Sequence, residues 1–363
     1  MDTSSHQLSL NIDSVGRALA QWVVTRMEED DATLPQRYGF GWRSRWIADM
    51  QVRISHLAQA VAVQSPELFR STVMWSQAAY MARSVDLQDL RNALRCLLAV
   101  LESEMPDNVT SAVLPYVQQA LVAVMEESPP SAEPHVSMDR AHGKLSLLYL
   151  EALLDGRRAD AERLILDAAE AGVPITELYE DVLRVTQLEV GQMWHMDEIT
   201  VADEHFATAT TDSVISQLRR FFPDSTPRGR RMVATTVGGD LHALGVRMVA
   251  DFFEMDGWNV FYLGPNTPND AMADVVQVRE AHLLALSGAS VLHVRALAEL
   301  IRQLRDNDAT TDVKVIVGGP IFLMVDGLWR SIGADGFAST ATEAVAVGNA
   351  LLDEYMIASD DHA

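Results

Sequence analysis

The nine residues from Val237 to Gly245 read VGGDLHALG and set one imidazole, His242, two positions after a carboxylate, Asp240. A neutral imidazole can ligate a transition metal, and a carboxylate on its other ring nitrogen fixes the tautomer and raises its basicity. Taken alone, an Asp and a His in a turn read first as a capping or structural pair. Two further sets of residues change that weighting. Ser287-Gly288 and Gly318-Gly319 each follow a short apolar run. Glycines let a bulky ligand approach the backbone, and the Ser287 hydroxyl can donate to it. With Asp240, His242 and Gly245 they describe a deep slot at one sheet edge, suited to an elongated ligand tail.

The elements that must position these residues are legible as a change of period. The runs RMVATTV, NVFYL, LLALS, VKVIVG and GFAS are short and apolar, with helical spacing between them. Residues 230–358 are therefore expected to form five βα units, a flavodoxin-like (Rossmann-type) parallel α/β domain. In such sheets ligands bind outside the carboxyl ends of the strands. Upstream, residues 137–222 read as four helices and predict a four-helix bundle, with Gly156 and Gly172 as C-caps and Pro174 in a first turn. Residues 1–130 read as an all-helical domain beginning near Ile12, with turns at Pro66, Pro106 and Pro115 or its neighbours. ESPPSAEPHV (127–136) and FPDSTPRG (222–229) read as linkers.

Composition narrows the function classes. The 363 residues carry 28 Lys+Arg against 51 Asp+Glu, a formal charge of -23 that repels nucleic-acid phosphates and anionic membranes. The single cysteine, Cys96, lies in an apolar helical run and excludes an internal disulfide framework or a cysteine metal cluster. No basic leader and no apolar run near about 18 residues is present, so the expected location is cytoplasmic. No G-x-G-x-x-G follows the first strand, which argues against dinucleotide binding.

DLHALG, then Ser287, then Gly318-Gly319 resemble the D-x-H-x-x-G, S-x-L/T and GG motifs of cobalamin-binding domains, with Ser287-Gly288-Ala289 a departure at the second. The resemblance implies that His242 is the lower axial cobalt ligand, polarised by Asp240. The nucleotide base would lie in the slot near Gly264, Ser287, Gly288, Gly318 and Gly319. A second stretch, WHMDEITVADEHFATAT (194–210), resembles the W…EH signature of CarH-type adenosylcobalamin light sensors. That implies Trp194, Glu204 and His205 over the upper face, and His195 as a second cobalt ligand after photolysis.

The amino-terminal helices replace the DNA-binding domain of those sensors and resemble the photocobilin subfamily, which binds biliverdin beside adenosylcobalamin. Between the first two helices, Tyr38, Phe40, Trp42 and Trp46 alternate with Arg37, Arg43 and Arg45, a candidate contact for a flat, carboxylate-bearing pigment. The expectation is a light receptor rather than an enzyme: a homodimer with light-dependent assembly, signalling to a downstream regulatory protein. The alternatives are a corrinoid carrier for methyl transfer and a light-independent cobalamin-sensing antirepressor.

Overall fold

A computed structural model describes residues 3–127 and 133–360, so residues 128–132 of the expected linker lie outside the described residues. Six helices form the first part: α1 (Thr3–Asp30), α2 (Leu34–Tyr38), α3 (Trp42–Ala62), α4 (Pro66–Ala82), α5 (Leu87–Glu104) and α6 (Asp107–Glu126). Their starts are chemically specified. Ser65 caps α4 by accepting from the Leu68 N–H ahead of Pro66 in the first turn, and Asp86 caps α5 by accepting from Gln88. In α5 the apolar stripe Leu90, Ala93, Leu94, Leu97 and Leu101 is fully buried. Cys96 sits beside it, and burial pushes its thiol up to about 12.

Two expectations fail in this part. α1 begins at Thr3 rather than near Ile12, and Pro115 makes no turn but lies inside α6. Pro115 cannot donate to the carbonyl one turn back, at a cost of about 3 kcal/mol. Val113, Val117, Ala120 and Val124 on the same helix are fully buried, however. At roughly 1.5–3 kcal/mol for each buried valine, that face outweighs the lost bond.

The aromatic and arginine cluster is also committed internally. Arg37 donates to Asp31 at 2.6 Å and Asp89 at 2.8 Å, and Arg45 donates to the carbonyls of Phe40 at 2.9 Å and Tyr38 at 2.6 Å. Arg43 pairs with Glu28, and Trp42 and Trp46 are buried. The guanidinium groups a biliverdin carboxylate would need are already matched to protein acceptors, so the expected pigment contact is withdrawn.

By contacts, these six helices form one compact unit with residues 290–302 and 320–333. Within it Arg295 donates from its guanidinium to Asp13 at 2.7 Å, and from its backbone N–H to the Gln59 side chain at 2.9 Å.

The second unit holds residues 131–289, 303–319 and 334–363. Its bundle comprises α7 (Gly143–Leu154), α8 (Arg158–Glu170), α9 (Ile175–Glu177), which runs through a π-helix (Leu178–Arg184) into α10 (Val185–His195), and α11 (Val201–Leu218). Along the chain the sheet elements and their connecting helices follow as β1 (Arg231–Thr236), α12 (Leu244–Met255), β2 (Asn259–Tyr262), α13 (Asn269–Val278), β3 (Leu283–Ser287), α14 (Val294–Arg305), β4 (Lys314–Gly318), the short helices α15 (Pro320–Met324) and α16 (Leu328–Ser331), β5 (Gly336–Phe337) and α17 (Ala341–Asp360). The strands pair in parallel in the order β2-β1-β3-β4-β5, the flavodoxin-like order expected.

One hydrophobic cluster joins bundle and sheet domain, with Tyr149, Ile165, Val182 and Leu218 packed in the same core as Met248 and Phe252 of α12. At its edge the buried Asp251 carboxylate accepts from the Tyr179 hydroxyl at 2.8 Å and the Arg219 guanidinium at 2.6 Å. Burial holds its carboxyl above the usual range despite these partners. Among the described residues, no helix is long and apolar enough to cross a membrane.

Candidate functional site

The loop from β1 to α12 is built by hydroxyls and amides just outside the sheet. Thr236, the last residue of β1, donates its hydroxyl to the Asp240 carbonyl at 2.6 Å and accepts from the Asn266 N–H at 2.9 Å. Asn266 in turn accepts from the Gly239 N–H at 2.7 Å through its side-chain oxygen. It does so from the left-handed region, φ 60°, which asparagine tolerates better than most residues. Sequence patterns single out neither Asn266 nor Thr236. The local signal is only a turn-forming PNTPN after β2.

The loop delivers Asp240 to a fully buried position. Its Oδ1 accepts from the His242 N–H at 3.0 Å and meets the His242 Nδ1 at 2.8 Å, while Oδ2 accepts from the Ala289 N–H at 3.2 Å. One carboxylate therefore ties the loop after β1 to the loop after β3. An ionised carboxylate only accepts, so Nδ1 carries the proton and Nε2 keeps its lone pair. The imidazole is 68% exposed and its Nε2 is left for an outside ligand.

The hydrogen bond to Asp240, helped by the Asp240 and Glu204 charges and opposed by partial burial, holds the His242 pKa above its ordinary 6.5. A raised histidine pKa contributes stability that is fully present below 6.5 and is lost as pH rises through the folded value. Asp240→Asn removes the leading cause, so the His242 ring resonances of the metal-free chain should titrate at lower pH than in the wild type. An unchanged NMR midpoint would show that Asp240 does not govern the ring.

The slot positions lie at the carboxyl ends of the strands. Ser287 is in register with Gly318, and the Gly288 N–H donates to the Gly318 carbonyl at 2.9 Å. Gly319 has φ 102°, and a Cβ there would stand 2.5 Å from the Gly288 carbonyl oxygen. A Cβ at Gly245 or Gly264 would meet nothing within 4 Å, so the space over both is open. Strand ends that approach this closely, with open space over the neighbouring glycines, form a cradle of backbone rather than of side chains.

At one end of the bundle, Trp194 and the buried His195 close α10. Thr200 then opens α11 with a reciprocal capping box to Asp203, which sets Glu204 and His205 in its first turn. The Glu204 Oε2 lies 3.8 Å from the His205 Nδ1, and its charge reaches His242. Trp194 is 40% exposed. Trp194 and His195 thus end one helix of the bundle, and Glu204 and His205 lie near the start of the next, across the short connection 196–200.

Comparison with known proteins accounts for this layout. Residues 230–347 match the family model described as B12 binding domain, and residues 148–219 match a second family with the same description. A dimethylamine corrinoid protein of Methanosarcina acetivorans is 24% identical over 198 residues, covering 54% of this chain and 92% of the relative. A trimethylamine corrinoid protein of Methanosarcina barkeri is 25% identical over 210 residues, covering 56% and 94%. The solved structure of the Methanosarcina barkeri monomethylamine corrinoid protein shares the fold at a TM-score of 0.51, with 22% identity over 57% of this chain and 98% of that one.

These relatives overturn the light-receptor expectation, because the chain resembles corrinoid proteins of methylamine systems. The W…EH spacing misleads for a physical reason. It records a helix end, a capped turn and the first turn of the next helix inside a bundle that is itself a B12-binding family match, so it does not separate a sensor from a carrier. Residues 148–219 and 230–347 are a pair of B12-binding domains, and this chain is a cobalamin-binding protein built on that pair.

Proposed function

We propose that the chain is a corrinoid carrier that presents a methyl group to partner proteins. The observation that carries this reading is the span of the relatives. Proteins named as dimethylamine and trimethylamine corrinoid proteins align over 92% and 94% of their own length to 54% and 56% of this chain. The residues present fit a corrinoid: an exposed imidazole with a free Nε2, a buried carboxylate fixing its tautomer, and an open backbone cradle. A bound corrinoid supplies a cobalt able to accept and release a methyl group.

His242 would hold the cobalt through Nε2, with Asp240 keeping the ring oriented and basic. Gly245, Gly264, Ser287, Gly288, Gly318 and Gly319 would take the nucleotide tail. Trp194, His195, Glu204 and His205 would border the opposite face, screening it from water until a partner binds. Residues before 148 lie outside both family matches, so the amino-terminal helices are additional to this module.

The test is to load the full chain with hydroxocobalamin, reduce it, and supply carbon-13-labelled mono-, di- or trimethylamine with the corresponding methyltransferase. Label should appear on the corrinoid retained by the chain. Retention of the corrinoid without labelling from any of the three donors would contradict the carrier reading.

A further inference from the structure

The first turn of a helix holds N–H groups that its own turns leave unpaired, and a side chain from the adjoining segment usually accepts from them. Helix α14 is started in part from far away in the chain. Just before it, the Ser290 hydroxyl accepts from the Leu292 N–H. The Arg295 N–H, in the first turn of α14, instead donates to the side-chain oxygen of Gln59 on α3 at 2.9 Å. Gln59 is 4% exposed and sits between the buried Ala58 and Ala60, where an amide costs free energy unless it is hydrogen-bonded. The Arg295 side chain is held as well. Its guanidinium donates to Asp13 at 2.7 Å and to the buried Ser9 hydroxyl at 3.2 Å, both on α1. Two amino-terminal helices thus grip one residue at the start of α14. Residues 290–294 alone join that residue to Ala289, the end of the proposed slot in this loop. The loop after β4 changes hands at the corresponding place: Ala289 and Gly319 belong to the unit of the sheet, and Ser290 and Pro320 to the unit of the amino-terminal helices.

We propose that Gln59 and Arg295 are positioning residues through which the amino-terminal helices set the shape of the loop after β3, and with it the grip on the nucleotide tail of a corrinoid. The proposal rests on the reading of that loop as part of a corrinoid site. Gly288 and Ala289 carry no large side chain that could seat the loop in a core, so its course depends on bonds at its two ends. At one end the Gly288 N–H donates to the Gly318 carbonyl and the Ala289 N–H to Asp240. At the other end is Arg295. Without the Gln59 oxygen, the Arg295 N–H loses its acceptor and the start of α14 must shift to satisfy it. The five intervening residues carry that shift to Ala289. Asp240 and His242 keep their bonds to each other within the β1–α12 loop, so the change falls on the tail rather than on the axial imidazole. This gives the helices that lie outside both family matches a part in holding the cofactor.

Equilibrium dialysis of the full chain in the dark, against methylcobalamin and against methylcobinamide, tests this. The two ligands share the methylated corrin ring, and only the first carries the nucleotide tail, so a change in the ratio of their affinities between variants isolates the tail. Gln59→Leu should shift the ratio roughly tenfold toward methylcobinamide, the scale of one buried donor left unpaired. Arg295→Ala keeps the backbone bond to Gln59 and loses only the guanidinium, so its shift should be about threefold in the same direction. Arg295→Lys, which keeps a cation for Asp13, should move the ratio back toward the wild-type value. The Arg295 pair decides the matter should Gln59→Leu not fold. If the amino-terminal helices only add stability, Gln59→Leu and Arg295→Ala lower the melting temperature and leave the ratio at the wild-type value, which overturns the proposal. Equal weakening of both ligands overturns it as well. A wild-type chain that binds neither ligand would instead remove the corrinoid site beneath it.

Discussion

Replacing His242 with alanine is expected to weaken cobalamin binding by roughly a hundredfold, since loss of even an outer-shell partner of a metal ligand costs 10–100-fold. The reasoning is geometric. His242 is the residue of the β1–α12 loop that offers an exposed ring nitrogen while its other nitrogen is held at 2.8 Å by a buried carboxylate. Alanine leaves Asp240 bonded to the Ala289 N–H, so the two loops stay joined and the fold should persist. Equilibrium titration of the metal-free chain, followed by absorbance, gives both the affinity and the spectrum of the bound cofactor. Wild-type affinity with a wild-type spectrum would remove His242 from the site.

Gly319→Ala should destabilise the chain by about 2–4 kcal/mol, the cost of a non-glycine residue in a strained positive-φ conformation plus a displaced neighbour. The φ of 102° strains an alanine wherever the side chain points, and its Cβ would stand 2.5 Å from the Gly288 oxygen and 3.0 Å from the Gly288 carbon. Both obstacles are backbone, held by the bond from Gly288 to Gly318, so no rotamer change relieves them. The loops after β3 and β4 must part, and the cradle is lost with them. Urea denaturation measures the stability, and a change under about 0.5 kcal/mol would show that the two loops yield easily.

Much of the second unit is legible in the sequence because its signals are local. Five short apolar runs separated by helical spacing define the strands, and the parallel order β2-β1-β3-β4-β5 follows from crossover geometry. Gly319 is legible for the same reason, since an adjacent glycine pair after a strand marks a backbone that a Cβ would obstruct. What stays hidden depends on partners distant in the chain. Asp240 meets Ala289 across 49 residues, and Tyr149 meets Thr211 across 62. No spacing rule announces either contact. Pro115 misleads because its local cost is real but smaller than the burial on the same helix.

Function is unevenly legible in a similar way. Asp240, His242 and the glycines speak for a corrinoid through chemistry that those residue types perform. Trp194, Glu204 and His205 suggest a light sensor through a spacing that any helix–turn–helix at the end of this bundle would produce. The arginines from Arg37 to Arg45 look free to bind a pigment in the sequence, whereas Asp31, Asp89, Glu28 and nearby carbonyls already occupy them.

The central claim is that His242 Nε2 ligates the cobalt of a bound corrinoid. Electron paramagnetic resonance of the one-electron-reduced cobalamin complex, with the full chain prepared once with ordinary and once with nitrogen-15 histidine, tests it directly. Ligation by His242 predicts that the axial nitrogen splitting changes from a triplet pattern to a doublet on labelling, and that this change is absent in His242→Ala. A triplet that persists in the labelled protein would mean that the nucleotide base of the cofactor holds the cobalt, and would contradict the account.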